Sequence, residues 1–144
     1  MAVFTKLLRE DIENFISDYA IGDLESFEEI VDGIENSNFK IFCNNQPYIL
    51  TIFEKRVTEE ELPFFINLKN FLNKNNFKCP KAISDKNGKI LKRIKNKTAV
   101  IISFLEGKSI EKPNSEMCRE VGKMVADLHN LCLLYTSPSP RDLP

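Results

Sequence analysis

The stretch Gly33-Ile34-Glu35-Asn36-Ser37-Asn38 joins one glycine to a run of small polar side chains. That combination suits a backbone loop laid over phosphate groups. Glycine permits close approach and unusual φ, and successive N–H groups form an anion-binding concavity. The segment is neither a Walker loop, since Gly-Lys-Ser/Thr is absent, nor a full Gly-x-Gly-x-x-Gly. Taken alone it reads as simply as a plain hairpin turn. A second patch follows the run Tyr48 to Phe53, which carries Thr51 and ends in Glu54-Lys55-Arg56. Lys55 and Arg56 are the nearest cations for a phosphate, and Glu61 is the partner that the next helix offers. A solvated face with a helix start explains the same residues equally well. A third patch is Ser103-Phe104-Leu105-Glu106-Gly107, an apolar strand ending in an acid and a glycine. Its backbone N–H and C=O groups suit pairing with the edge of a planar base; a simple strand end explains the same residues equally well. No His-x-Asp-x-x-x-x-Asn segment occurs, and Asp127 and His129 fall within a helical pattern as solvated or terminal positions. No catalytic residue and no metal ligand is therefore assigned to this chain.

These patches need a frame, and the periodicity supplies one. Ile12, Phe15, Ile16 and Tyr19 recur at i, i+3, i+4, i+7, which predicts a helix from about Arg9 to Tyr19 with a stop at Gly22. Leu24 to Val31, Phe39 to Cys43 and Tyr48 to Phe53 read as three consecutive antiparallel strands, with a turn over Asp32 to Asn38 and another at Asn44 to Pro47. Thr58-Glu59-Glu60-Glu61 reads as a capping box that opens a helix to Lys74 or Asn75. Its expected seam is Leu62, Phe65, Leu68 and Leu72, widened by Phe64 and Phe71. Pro63 sits in the first turns, where its missing N–H costs little. Asp85-Lys86-Asn87-Gly88 predicts a hairpin turn between Ala82-Ile83 and Lys89-Ile90-Leu91. Thr98 to Leu105 is a continuous apolar run, typical of a central strand. A last helix opens at Asn114 or Ser115, with Met117, Val121, Met124, Val125 and Leu128 on one face. The result is an α+β fold, an antiparallel sheet of about five strands with one helix packed between the third and fourth.

Composition narrows the partners. The 144 residues are 42% hydrophobic, enough for one real core, and the net charge is −1. Without a basic excess, nucleic acid is not an expected partner. No apolar run reaches the roughly 20 residues that span a bilayer, so no membrane is expected either. Cys43, Cys79, Cys118 and Cys132 form no Cys-x-x-Cys pair, and one histidine argues against a zinc site. Reduced thiols and the lack of a signal-peptide core lead to the expectation of a cytoplasmic protein. Three of the seven prolines fall in the last seven residues, after Leu131. Ser-Pro-Ser-Pro ends a helix by force. The sequence predicts that 131–144 is a non-native or disordered tail appended to an interrupted longer protein.

Several segments together resemble the bacterial homoserine kinases of the aminoglycoside-phosphotransferase-like superfamily. They are Met1 to Thr5, Gly33 to Phe39, Tyr48 to Arg56, Leu62 to Phe65, Cys79-Pro80, Phe104 to Gly107, and Val121 through His129. The resemblance spans residues 1 to about 130. It implies a protein-kinase-like N-terminal lobe with hinge at 1–107 and the first helix of a second lobe at 108–130. It implies nucleotide binding by Gly33, Glu35, Asn36, Ser37, Asn38, Thr51, Phe104, Leu105 and Glu106. Thr51 stands where the wider superfamily has a basic residue; the resembled family has threonine there too. ATP and Mg²⁺ would be the cofactors, with the metal ligands and the catalytic base C-terminal to this chain, and L-homoserine the acceptor. Another small-molecule kinase of the superfamily, acting on choline, an aminoglycoside or a sugar, and a non-enzymatic α+β binding module stay open as alternatives.

Overall fold

The computed structural model describes residues 4–31, 35–54 and 60–135. Helix α1 (Arg9–Ile16) is followed by strands β1 (Leu24–Ile30), β2 (Asn36–Cys43) and β3 (Gln46–Phe53). Helix α2 (Leu62–Lys74), short strands β4 (Ala82–Ile83) and β5 (Lys92–Ile94), strand β6 (Lys97–Ser103) and helix α3 (Ser115–Tyr135) complete the order. The strands form one antiparallel sheet in the order β1-β2-β3-β6-β4, and β5 pairs with β6 beside β4.

Strict alternation on β2 sets the layers. Ser37, Phe39, Ile41 and Cys43 are buried, while Asn36, Asn38, Lys40 and Phe42 on the opposite face are half-buried. The buried row joins Leu50, Ile52, Ala99 and Ile101 under α1, whose Ile12, Phe15 and Ile16 form the facing layer. Among the described residues, the opposite face is covered where Ile66 of α2 meets Val100 and Ala82, with Phe53, Ile90, Leu91 and Ile102 packed against them. Two core clusters thus flank the sheet, and the α1 side holds the larger one.

Turn chemistry fixes the register. Asn44 and Asn45 both have positive φ (53° and 59°), so Cys43 pairs with Gln46 across a two-residue turn. The same device at Lys95-Asn96 (49° and 62°) joins β5 to β6. This second hairpin changes the expected sheet from about five strands to six. Lys92-Arg93-Ile94 is short and mostly charged, so it carries little strand signal. The Asp85–Gly88 turn is present but does not connect neighbouring strands. Its Asp85 carboxylate accepts from Asn87 N and Lys89 N at 2.9 and 2.8 Å, while Ile90 and Leu91 pack on the smaller core cluster.

The helices differ from expectation at their ends and faces. Helix α1 stops at Ile16, and Gly22, at φ +90°, serves the turn into β1 instead. Helix α2 buries Leu62, Ile66 and Leu72, leaving Phe64 and Phe65 exposed. A helix covering one end of a sheet needs only a narrow stripe, and Ile66 supplies it in place of Phe65. Thr58 and Glu59 of the expected capping box lie outside the described residues. Helix α3 is capped by Asn114, whose Oδ1 accepts from Met117 N at 2.8 Å. It continues through Leu131–Tyr135 into the compositional tail, because the first proline there is Pro138.

Gly22 offers a direct test of this turn. A Cβ added there would sit 2.9 Å from Asn44 Cβ, on a backbone that L residues rarely adopt. Gly22→Ala is expected to lower stability by about 1–2 kcal/mol, read from urea unfolding. An unchanged midpoint would contradict it.

Candidate functional site

The face that carries α2 continues past Ile66 as a row of half-buried residues. Alternation brings Asn38 and Lys40 of β2, Ile49 and Thr51 of β3, and Ile102 of β6 onto it. Thr51 is nearly buried and donates its hydroxyl to Asn38 Oδ1 at 2.8 Å. That bond orients the Asn38 amide, whose Nδ2 makes a long contact with Asn36 O at 3.4 Å. An apolar floor thus carries one oriented amide donor and one hydroxyl with remaining acceptor capacity. Beyond Ser103 the chain leaves the sheet as an irregular segment from Phe104 to Ile110, with Leu105 and Glu106 exposed.

Lys40 links these parts, and the sequence reading missed it. Its Nζ lies 4.6 Å from the Phe104 ring centroid and 5.0 Å from that of Phe42. Glu28 Oε1 is 3.7 Å away. A lysine shared between two aromatic faces is held by cation–π attraction while its stem covers apolar surface. The signal was available: Lys40 follows Asn36 and Asn38 at strand period two, on the face of Thr51.

The structure separates other expected site residues. Asn36, Ser37 and Asn38 belong to strand β2, not to a turn, because they pair with Phe53, Ile52 and Thr51. Ser37 points to the opposite, α1-side face and is fully buried. Its hydroxyl donates to Glu54 Oε1 at 2.6 Å and accepts from Phe4 N and Thr5 N at 2.9 and 3.0 Å. One hydrogen and two lone pairs are all used, so nothing remains for a ligand. Glu35 is exposed at the start of β2, and Glu61 forms the N-cap of α2. Gly33, Lys55 and Arg56 lie outside the described residues.

An unforeseen ion pair sits at the same end of the sheet. Glu54, just past β3, accepts from Thr5 Oγ1 at 2.6 Å, from Ser37 and from Lys97 Nζ. Its side chain is 5% exposed. Burial works to raise the Glu54 carboxyl, yet the donors Lys97, Ser37 and Thr5 together hold it below its ordinary 4.5. Folding therefore favours the ionised form. That stabilisation is complete above the unfolded value and is lost as pH falls through the lower folded one. Below pH 4.5, stability is expected to fall more steeply in the parent than in Glu54→Gln. Parallel curves from pH-dependent urea unfolding would contradict it.

Among the described residues, no group of three His, Cys, Asp or Glu side chains could hold a metal ion. Nor is any described helix long and apolar enough to cross a membrane.

Residues 26–143 match the phosphotransferase enzyme family (APH), most of the chain. The chain belongs to that family. Homoserine kinases from Methylobacterium radiotolerans, Parvibaculum lavamentivorans and Agrobacterium fabrum are 45%, 43% and 41% identical to it over 129 residues. Those residues are 90% of this chain and 40% of each relative, so the chain spans 40% of their length. Among solved structures, a spectinomycin phosphotransferase in complex with ADP and spectinomycin superposes with a TM-score of 0.71 at 9% identity. The match covers 93% of this chain and 40% of that one, and it supports a kinase-like fold.

Proposed function

We propose that this chain is the nucleotide-side lobe of an ATP-dependent phosphotransferase, and that the full-length protein transfers the γ-phosphoryl group of ATP to the side-chain hydroxyl of L-homoserine. The observation that carries this reading is the 40–45% identity to homoserine kinases across 90% of the chain. The geometry is consistent with it. The half-open face, with its Thr51–Asn38 pair, lies between the β1–β2 connection and the exit from β6. A base would lie on Ile49 and Ile102, with its edge toward the backbone of Phe104, Leu105 and Glu106. Its phosphates would run toward Asn36 and Asn38, with Gly33, Lys55, Arg56 and Glu61 as the candidates nearby in sequence.

Such an enzyme works by positioning and electrostatic stabilisation. Bound Mg²⁺ would supply charge neutralisation for the phosphates, and the described residues offer no cluster of three His, Cys, Asp or Glu side chains to hold it. This chain's part is to exclude water from the base, orient the phosphates through Asn38 and fix the hinge through Lys40 and Phe104. Residues 108–130 would begin the second lobe, which would supply the base, the metal ligands and the acceptor pocket.

The face prediction is testable on the 144-residue chain. Titration with millimolar Mg-ATP should move the amide resonances of Asn38, Thr51, Ile102 and Leu105. Those of Ile12 and Ile16, under the opposite face, should stay. Shifts confined to the α1 side, or none, would contradict the assignment.

A further inference from the structure

We propose that Thr5, Ser37, Glu54 and Lys97 form a positioning cluster that fixes the root of the β1–β2 connection and so governs affinity for the polyphosphate end of the nucleotide. The proposal rests on the nucleotide reading above. Four separate segments meet here: the N-terminal residues Phe4 and Thr5, the second residue of β2, the residue after β3 and the first residue of β6. Lys97 Nζ donates to Thr5 Oγ1 at 2.7 Å as well as to Glu54 Oε2. Glu54 Oε1 is shared by the hydroxyls of Thr5 and Ser37, each at 2.6 Å.

Two features make the cluster more than a local tie. First, it is closed. Ser37 has no hydrogen-bonding capacity left, and both Glu54 oxygens are engaged. A buried carboxylate tolerates no missing partner, so such a network holds or fails as a unit. Second, it sits at a particular place. Ser37 pairs with Ile52, one residue from the Asn36–Phe53 pair that ends the β2–β3 ladder. Its neighbours in sequence, Asn36 and Asn38, face the open side of the sheet. Anchoring Ser37 from below therefore fixes Asn38 above and the strand end that leads back to β1. The Phe104 exit lies at the far end of β6 from Lys97. Loosening the cluster should leave that end in place.

The test uses steady-state kinetics of the full-length protein with Mg-ATP, and adenosine as a competitive inhibitor, in Lys97→Met, Ser37→Ala and Lys97→Arg. The first two are expected to raise KM for ATP about ten-fold, with kcat and the adenosine inhibition constant within about two-fold. Lys97→Arg keeps a cation opposite Glu54 and should recover most of the affinity. Unchanged KM for ATP, or equal weakening of ATP and adenosine, would overturn the proposal, the latter outcome marking a merely structural role. Amide exchange on the 144-residue chain separates this from failure of the nucleotide reading. Lys97→Met should speed exchange from Asn36 to Phe39 whether or not the parent uses ATP, and unchanged exchange would overturn the cluster itself.

Discussion

Phe39→Ala is expected to cost about 3–5 kcal/mol, the largest loss of any single truncation in the sheet. Phe39 is fully buried at the centre of β2, among Ile12, Ile41, Leu50 and Ile101. Its removal leaves a cavity between α1 and the sheet that rigid strands on both sides cannot close. Domains of this size are stable by only about 5–15 kcal/mol, so the variant should unfold at far lower urea. Ile110, 56% exposed, is the control. Ile110→Ala should change stability by about 0.5 kcal/mol or less. Equal losses at the two positions would mean that the core is not where the alternation of β2 places it.

The second large effect concerns α3. Val121, Met124 and Val125 are 60%, 53% and 44% exposed, so the apolar face of this 21-residue helix meets little of the remaining chain. It contacts α2, and just after that helix Phe77 and Lys78 border a shallow cleft with Val121 and Met124. A helix held mainly by its own hydrogen bonds is only marginally stable in water. In the 144-residue chain, amides from Val121 to Leu128 are expected to exchange within about ten-fold of unprotected rates. Phe39 and Leu50 should exchange only through global unfolding. Uniformly slow exchange across α3 in a monomer would contradict this.

What was legible in the sequence follows from which forces act locally. The β2–β3 hairpin was readable because alternation and an Asn-Asn turn agree. The α1 face was readable from Ile12, Phe15 and Ile16, whose spacing matches one helical stripe. The last strand was readable from its apolar run, although that run goes on to Leu105 while β6 ends at Ser103, and the α3 cap was readable from Asn114. Strand β5 was not, because Lys92 and Arg93 carry no strand pattern and it exists by pairing with β6. The seam of α2 was misplaced because seven apolar residues besides Pro63 offer two overlapping stripes, and contacts with Val100 and Ala82 decide between them.

At the site, composition marked Asn36 to Asn38 but could not say which face each would take. One residue of strand period sends Ser37 to the core and Asn38 to the open side. The Glu54–Lys97 pair spans 43 residues, and no local signal reports a contact of that range. Lys40, by contrast, shares its face with Thr51 through strand period alone and could have been found.

The central claim is that this lobe serves transfer of phosphate from ATP to homoserine. The most direct measurement is ADP release by the full-length protein with Mg-ATP and one acceptor at a time: L-homoserine, choline, spectinomycin and a hexose. The account predicts turnover with L-homoserine at a kcat/KM about 100-fold or more above every other acceptor, since a site built to pair a substrate's polar groups rejects molecules that leave them unpaired. A higher kcat/KM for another acceptor, or no acceptor-dependent ADP release at all, would contradict it.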